Sequence, residues 1–231
     1  MPADHPLDRP IWQALNSRQA DLNRGDGRVG RFDRRYAPFG AVADDSPPCI
    51  AALAERIDTD GVVVLIDGVF APTPPGALSV RQGLLNQMVA THLVEPQPNS
   101  SIVPLCDDDA PEMLALATLT EPGPFLALTH RLGDFVGIKQ NGALVAMAGE
   151  RMKLEGYTEV SAVCTHPGHR GRGYGAALTG IVAARILARG ETPFLHVFPD
   201  NVGAIAVYEA LGFRLRRQMM LNVLTQGPVP G

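Results

Sequence analysis

Residues Val160–Ala176 read VSAVCTHPGHRGRGYGA, and the rest of the chain can be organised around them. A run of small and β-branched residues ends at Pro167, an arginine- and glycine-rich turn follows, and the apolar, alanine-rich segment Ala176–Arg189 begins at once. That order predicts strand, turn, helix. Within the turn Gly171, Gly173 and Gly175 alternate, so the backbone can approach a ligand closely and take positive φ without a Cβ clash. A loop that opens a helix presents unpaired N–H groups at the positive end of the helix dipole, which suits phosphate oxygens. Arg170 and Arg172 add charge-assisted donors. The stretch is expected to cradle a pyrophosphate.

Two patterns compete for these residues. Gly171-x-Gly173-x-x-Ala176 matches the dinucleotide-binding fingerprint, with Glu191 downstream. That fingerprint begins a longer β/α unit than the chain after Ala176 can supply. Glu191 also precedes the next predicted strand, Pro193–Phe198, whereas a ribose-binding acid belongs at its end. The other pattern is Arg170-x-x-Gly173-x-Gly175 with Pro167 before it, followed by Asn201, Ala204, Tyr208 and the pair Gly212-Phe213. Both halves, in order and with a strand between, resemble the GNAT superfamily of N-acetyltransferases over roughly Ile102–Leu224.

The resemblance implies acetyl-CoA as acyl donor, a primary amine as acceptor, direct attack in a ternary complex, and no metal. It implies that backbone groups at Val163, Cys164 and Thr165 meet the pantetheine arm. Arg170, Gly171, Arg172, Gly173, Tyr174, Gly175 and Ala176 would hold the phosphates, and Asn201, Ala204 and Tyr208 would complete the cofactor side. Tyr208 matches the tyrosine that protonates the leaving thiolate in the superfamily. Some members carry a glutamate base eleven residues before the motif, and Glu159 stands there relative to Arg170; Glu150 is a second candidate. An alkylamine with a pKa near 10.4 is neutral in only about one molecule per thousand at pH 7, so a base is useful. A longer acyl-CoA donor and a non-catalytic acyl-CoA-binding or sensing module remain as alternatives.

Composition narrows the classes. With 45% hydrophobic and 19% charged residues, the chain is that of a soluble globular protein, and a net charge of −4 gives no basic footprint for nucleic acid. Cys49, Cys106 and Cys164 are odd in number and contain no C-x-x-C, so neither a disulfide framework nor a zinc site is indicated. The opening MPADHPLDRP lacks a basic and then apolar leader, and no run of eighteen apolar residues occurs. A reducing cytoplasm and no membrane partner are expected. Oligomeric state is open, a homodimer being one option.

The expected fold class is α/β, or α+β with a mixed sheet: a GNAT-like acyltransferase fold in residues 100–231, preceded by a smaller degenerate α/β half in residues 1–99. In that first half Ile50, Leu53 and Ile57 fall at helical spacing, Gly61–Ile66 reads as a buried strand, and Ala71–Ala77 is a proline-rich loop. The literal G-x-G-x-x-G at Gly25–Gly30 has no strand before it and no helix after it, and reads as a surface turn. Glu95–Ser100 looks like a linker. The layout is similar to the glycine N-acyltransferase-like branch of the superfamily, which implies that residues 1–99 form a degenerate acyltransferase-like half.

From Ile102 the punctuation is clear. A strand at Ile102–Leu105 precedes a capping box at Asp109-x-x-Glu112, and Met113, Leu116 and Ala117 give one helix face. By the resemblance, Pro122–Phe125 borders the acceptor, with Thr129, His130 and Arg131. Phe135–Lys139 and Ala143–Gly149 flank Asn141-Gly142, a hairpin signal. In the next strand, Tyr157–Thr165, alternation places Glu159, Ser161, Val163 and Thr165 on one face and Cys164 on the other, in the core. His166 and His169 are expected as loop residues near the phosphates. Phe213, Leu215, Met219, Leu221 and Val223 alternate along a closing antiparallel strand.

Overall fold

At Asn141 and Gly142 both residues take positive φ, 51° and 84°. That two-residue geometry matches the twist of an antiparallel pair, and here it joins β6 (Phe135–Gln140) to β7 (Ala143–Leu154). The computed structural model describes residues 5–57, 61–94 and 101–227. β5 (Val103–Leu105) flanks β6 and β8 (Tyr157–Thr165) flanks β7, all antiparallel. From β8 the chain passes through α4 (Tyr174–Ala188) to β9 (Thr192–Val197), which pairs with β8 in parallel.

Beyond β9 lie β4 (Ala77–Val89), β10 (Arg214–Gln226) and β3 (Val62–Asp67), each antiparallel to its neighbour. The result is one eight-stranded mixed sheet ordered β3-β10-β4-β9-β8-β7-β6-β5. A small ribbon pairs β1 (Val29–Arg31) with β2 (Gly40–Val42). The remaining helices are α1 (Pro10–Leu15), α2 (Pro47–Glu55), α3 (Ala110–Thr120) and α5 (Val202–Leu211). No helix among the described residues is long and apolar enough to cross a membrane.

Alternation in β6 and β7 makes the two faces. Val136 and Ala148 pack with Leu178, Val182 and Ile186 of α4, while Phe135 and Met147 pack with Met113, Leu116 and Ala117 of α3. Leu178, Val182 and Ile186 are buried, each contributing about 1.5–3 kcal/mol of apolar burial. α4 is thereby pinned over the sheet, and its N-terminus is fixed beside the end of β8.

The structure changes several expectations. The capping box sits a turn earlier than Asp109/Glu112: the chain enters α3 through a 3-10 turn at Asp107–Asp109, and the Cys106 N–H donates to Asp109 Oδ2 at 2.9 Å. β4 carries no alternation in its outer half, which is exposed on both faces, and so is not announced by the sequence. β7 runs on past Gly149 to Leu154. In β10 a register shift between Leu215 and Arg217 breaks the expected single face, leaving Leu215 exposed although Phe213 and Met219 are buried.

The linker expected at Glu95–Ser100 lies outside the described residues. Strands from both sides of it share the sheet, with β4 inserted between β9 and β10, so the sheet does not divide at that boundary.

Candidate active site

Gly171 and Gly173 have φ of 77° and 75°, and Gly173 is the N-cap of α4. A side chain in this left-handed region costs roughly 1–2 kcal/mol, which accounts for glycine at both positions. No heavy atom lies within 4 Å of where a Cβ would project from either. The space above the loop is open to a ligand. The Ala177 N–H is bonded back to Gly173 O at 3.0 Å, and the N–H groups of Gly175 and Ala176 precede it in the helix's first turn, where intrahelical acceptors are lacking.

Arg170 Nε reaches Thr165 O at 3.4 Å and ties the turn to β8. His166 and His169 meet edge to face at 5.4 Å, and His166 Nδ1 accepts from the Gly168 N–H. Among the described residues no group of three or more His, Cys, Asp or Glu could hold a metal ion.

Next to this turn the sheet opens. β8 and β9 pair only from Tyr157 to Glu159 against Thr192 to Phe194, and then part. At the parting β8 is bulged: Ser161 pairs with Gly149 and Cys164 with Met147, so Ala162 and Val163 together oppose Ala148, and Ala162 takes φ 53°. A bulge re-aims the side chains that follow it. Val160 and Val163 pack on the α4 side, Ala162 and Cys164 on the α3 side. The single face expected for Glu159, Ser161, Val163 and Thr165 therefore breaks at Ala162. Burial pushes the Cys164 thiol up to about 11, which leaves it inert as a nucleophile at neutral pH.

A cavity of about 660 Å³ occupies the open side of the splay. Val163 borders it from β8, and Phe39, Ile66, Leu85 and Leu221 form an apolar wall. Pro122–Phe125 lines its rim, whereas Thr129, His130 and Arg131 do not reach it. The buried Thr129 hydroxyl donates to Tyr36 O at 2.6 Å, and His130 and Arg131 pair with Asp107 at 3.0 and 2.6 Å beside a separate depression.

Asn201 and Tyr208 face the cavity from α5. Asn201 Oδ1 accepts from the Ala204 N–H at 3.2 Å, capping the helix. Burial pushes the Tyr208 phenol up to about 12, so it is protonated at neutral pH.

Glu159 is fully buried. Arg151 Nε and Nη2 donate to its two oxygens at 2.8 Å each, and His196 Nδ1 lies 2.8 Å from Oε1. Burial alone would raise its pKa, but the charge and hydrogen bonds of Arg151, joined by His196, hold it below the ordinary carboxylate range. The carboxylate expected as a base thus does not line the cavity itself, and Arg151 and His196, which do, lie between. Glu150 is equally engaged, between Lys153 Nζ at 2.8 Å and Arg189 Nη2 at 2.7 Å, and does not line the cavity. The residues missed in the sequence are Arg151, His196 and Arg81, all cavity-lining. A buried carboxylate demands a cation, but only the continuation of β7 past Gly149 shows which one.

An open glycine turn at a helix start, a sheet splayed beside it and a cavity at the splay define an acyltransferase-like architecture. Residues 135–221 match the FR47-like protein family. A crystal structure of a protein assigned to the GNAT family of acetyltransferases, from Novosphingobium aromaticivorans, is 42% identical with a TM-score of 0.91, covering 97% of this chain and 100% of that one. A GCN5-related N-acetyltransferase from Kribbella flavida shares the fold at 18% identity and a TM-score of 0.63, covering 95% and 93%. The mycothiol acetyltransferase of Streptomyces avermitilis is 45% identical over 60 residues, 26% of this chain and 20% of the length of that relative. The chain belongs to the GNAT family of acetyltransferases.

Proposed function

We propose that the protein transfers the acetyl group of acetyl-CoA to a primary amine by direct attack in a ternary complex. The observation that carries this reading is the juxtaposition of the open glycine turn at the start of α4 with the bulged, splayed end of β8 over a cavity that Tyr208 enters. Acetyl-CoA, when bound, supplies the activated acyl carbon. In this reading the first-turn N–H groups of Gly175 and Ala176, with Arg170 and Arg172, hold the phosphates. Backbone groups from Val163 to Thr165 align the pantetheine arm, and N–H groups at the bulge face the carbonyl oxygen where negative charge develops.

The amine nitrogen bonds to the acyl carbon as the carbon–sulfur bond breaks. The ammonium gives one proton to water before it attacks and the nitrogen a second as the amide forms, while Tyr208 gives its proton to the leaving sulfur and recovers it from solvent. Glu121 lines the cavity, and its side chain makes no ion pair among the described residues. It is the carboxylate we assign to attract the incoming ammonium. Glu159 positions Arg151 and His196.

Residues 1–99 we read as a degenerate acyltransferase-like half whose strands complete the catalytic sheet and whose Phe39, Ile66, Arg81 and Leu85 wall the cavity. That layout supports kinship with the glycine N-acyltransferase-like branch and, with it, a donor longer than acetyl as the second reading. Free Cys49, Cys106 and Cys164 support a reducing cytoplasm. The test is calorimetric titration with acetyl-CoA, CoA and NAD, on the wild type and Gly173→Glu. Binding of acetyl-CoA and CoA that the variant loses supports the reading. A folded wild type that binds NAD and neither thioester nor thiol sinks it.

A further inference from the structure

We infer that the acceptor is an amine that also bears a carboxylate, a free amino acid with an apolar side chain, and that Arg151 binds its carboxylate. This rests on the acyltransferase reading for the reaction, but the binding site is argued from Arg151 itself. The residue is 8% exposed and lines the cavity. Its Nε and Nη2 are committed to Glu159, and its guanidinium carbon lies 4.8 Å from the Phe39 ring centroid. The fork is therefore fixed on two sides.

Nη1 is left over. It has no hydrogen-bond partner among the described residues and faces the rim loop, 3.9 Å from where a Cβ on Gly123 would sit. A guanidinium donates through all three nitrogens. One whose third nitrogen is unpartnered and turned into a cavity, on a residue otherwise buried, is built to meet an acceptor oxygen, and a carboxylate suits its donors.

Arg81, Arg151 and the carboxylate of Glu121 line the cavity, and the charge of Arg151 is shared with Glu159 beneath it. Arg81 is held over the Phe198 ring at 4.7 Å. The negative charge of the acceptor thus goes to Arg151, with Arg81 adding positive field and the exposed Glu121 left for the ammonium. Between them Phe39, Ile66, Leu85, Phe125 and Leu221 offer an apolar wall for the side chain.

The test measures thiol release from acetyl-CoA with leucine and phenylalanine, with their carboxamides, and with 3-methylbutylamine and 2-phenylethylamine, which lack the carboxylate. Binding of the same compounds without acetyl-CoA is followed by ligand-observed NMR. The expected result is a preference for the free amino acids of roughly ten- to a hundredfold in kcat/KM, since an unmet buried donor is penalised. Arg151→Lys should collapse that preference by raising the acceptor KM while leaving acetyl-CoA affinity unchanged. The double variant Arg151→Gln/Glu159→Gln leaves no stranded charge and should do the same if the lysine variant is unstable.

Equal use of the matched amines by the wild type, a preference that survives in a folded variant, or absence of amino acid binding overturns the inference. Amino acids that bind through Arg151 to a protein without acetyl-CoA affinity would instead uphold it and overturn the acyltransferase reading.

Discussion

The turn we propose for the donor's phosphates comes from one stretch, Arg170–Ala176, whereas the cavity we propose for the acceptor draws side chains from Phe39 to Val223. The turn depends on local chemistry, two glycines at positive φ and a helix start. The cavity depends on sheet register, on the bulge at Ala162 and on a buried ion pair. The difference teaches that one region can be broken by a single backbone substitution without touching the fold, while the other can hardly be altered at its base without cost to stability.

The largest effect is expected at Arg151. Arg151→Ala strands the buried Glu159 charge and should cost about 3–5 kcal/mol in urea unfolding; adding Glu159→Gln should recover much of that loss. Because the folded state holds Glu159 below its ordinary pKa, the pair's stabilisation is present above the ordinary carboxylate range. It is lost as pH falls through the depressed folded value. Wild type should therefore lose stability across acidic pH more steeply than the double variant, and equal slopes would show that the pair is not what holds the cavity floor.

Gly173→Glu tests the other region. Strain at φ 75° and a negative charge at the start of α4 should weaken acetyl-CoA binding by about two orders of magnitude in calorimetry. Acceptor binding by NMR and the circular dichroism spectrum should be unchanged. Loss of acceptor binding as well would mean that the two regions are not independent.

Tyr208→Phe tests whether the two are joined, since the proposed reaction brings the donor's sulfur to this cavity-lining phenol. A fall in kcat of about 10- to 100-fold with unchanged acetyl-CoA affinity is expected. With the phenol pushed up to about 12, its protonated fraction is constant from pH 6 to 9, so an alkaline limb in that range that vanished in the variant would contradict the assignment. The smallest effect is expected from Arg81→Ala, an exposed cation over Phe198. Losing about 0.5–1 kcal/mol should raise the acceptor KM a few-fold and leave the donor side untouched.

Legibility followed the same division. The Asn141-Gly142 hairpin, the run of β8 into the glycine turn and α4, the Asn201 cap and the Gly212 stop, with φ 106°, were all readable because each is fixed by neighbours a few residues away. Glu159 was readable as an important carboxylate, but its partners were not. Its chemistry is set by Arg151 on the next strand and His196 on β9, and strand pairing is not written in spacing. β4 was missed for a related reason: half of it is exposed on both faces, so no period of two survives in the sequence.

By itself the sequence determined the glycine turn into α4, the order of elements from β5 to β10 and the family to which the chain belongs. These are short-range matters of φ, capping and periodicity. Only the tertiary structure decided that β4 enters the sheet between β9 and β10, that the bulge at Ala162 turns Val163 away from Glu159's face, and that Arg151 lies buried with one nitrogen facing the cavity. A charged group's role depends on which partners remove it from water. Those partners come together only when distant strands pair.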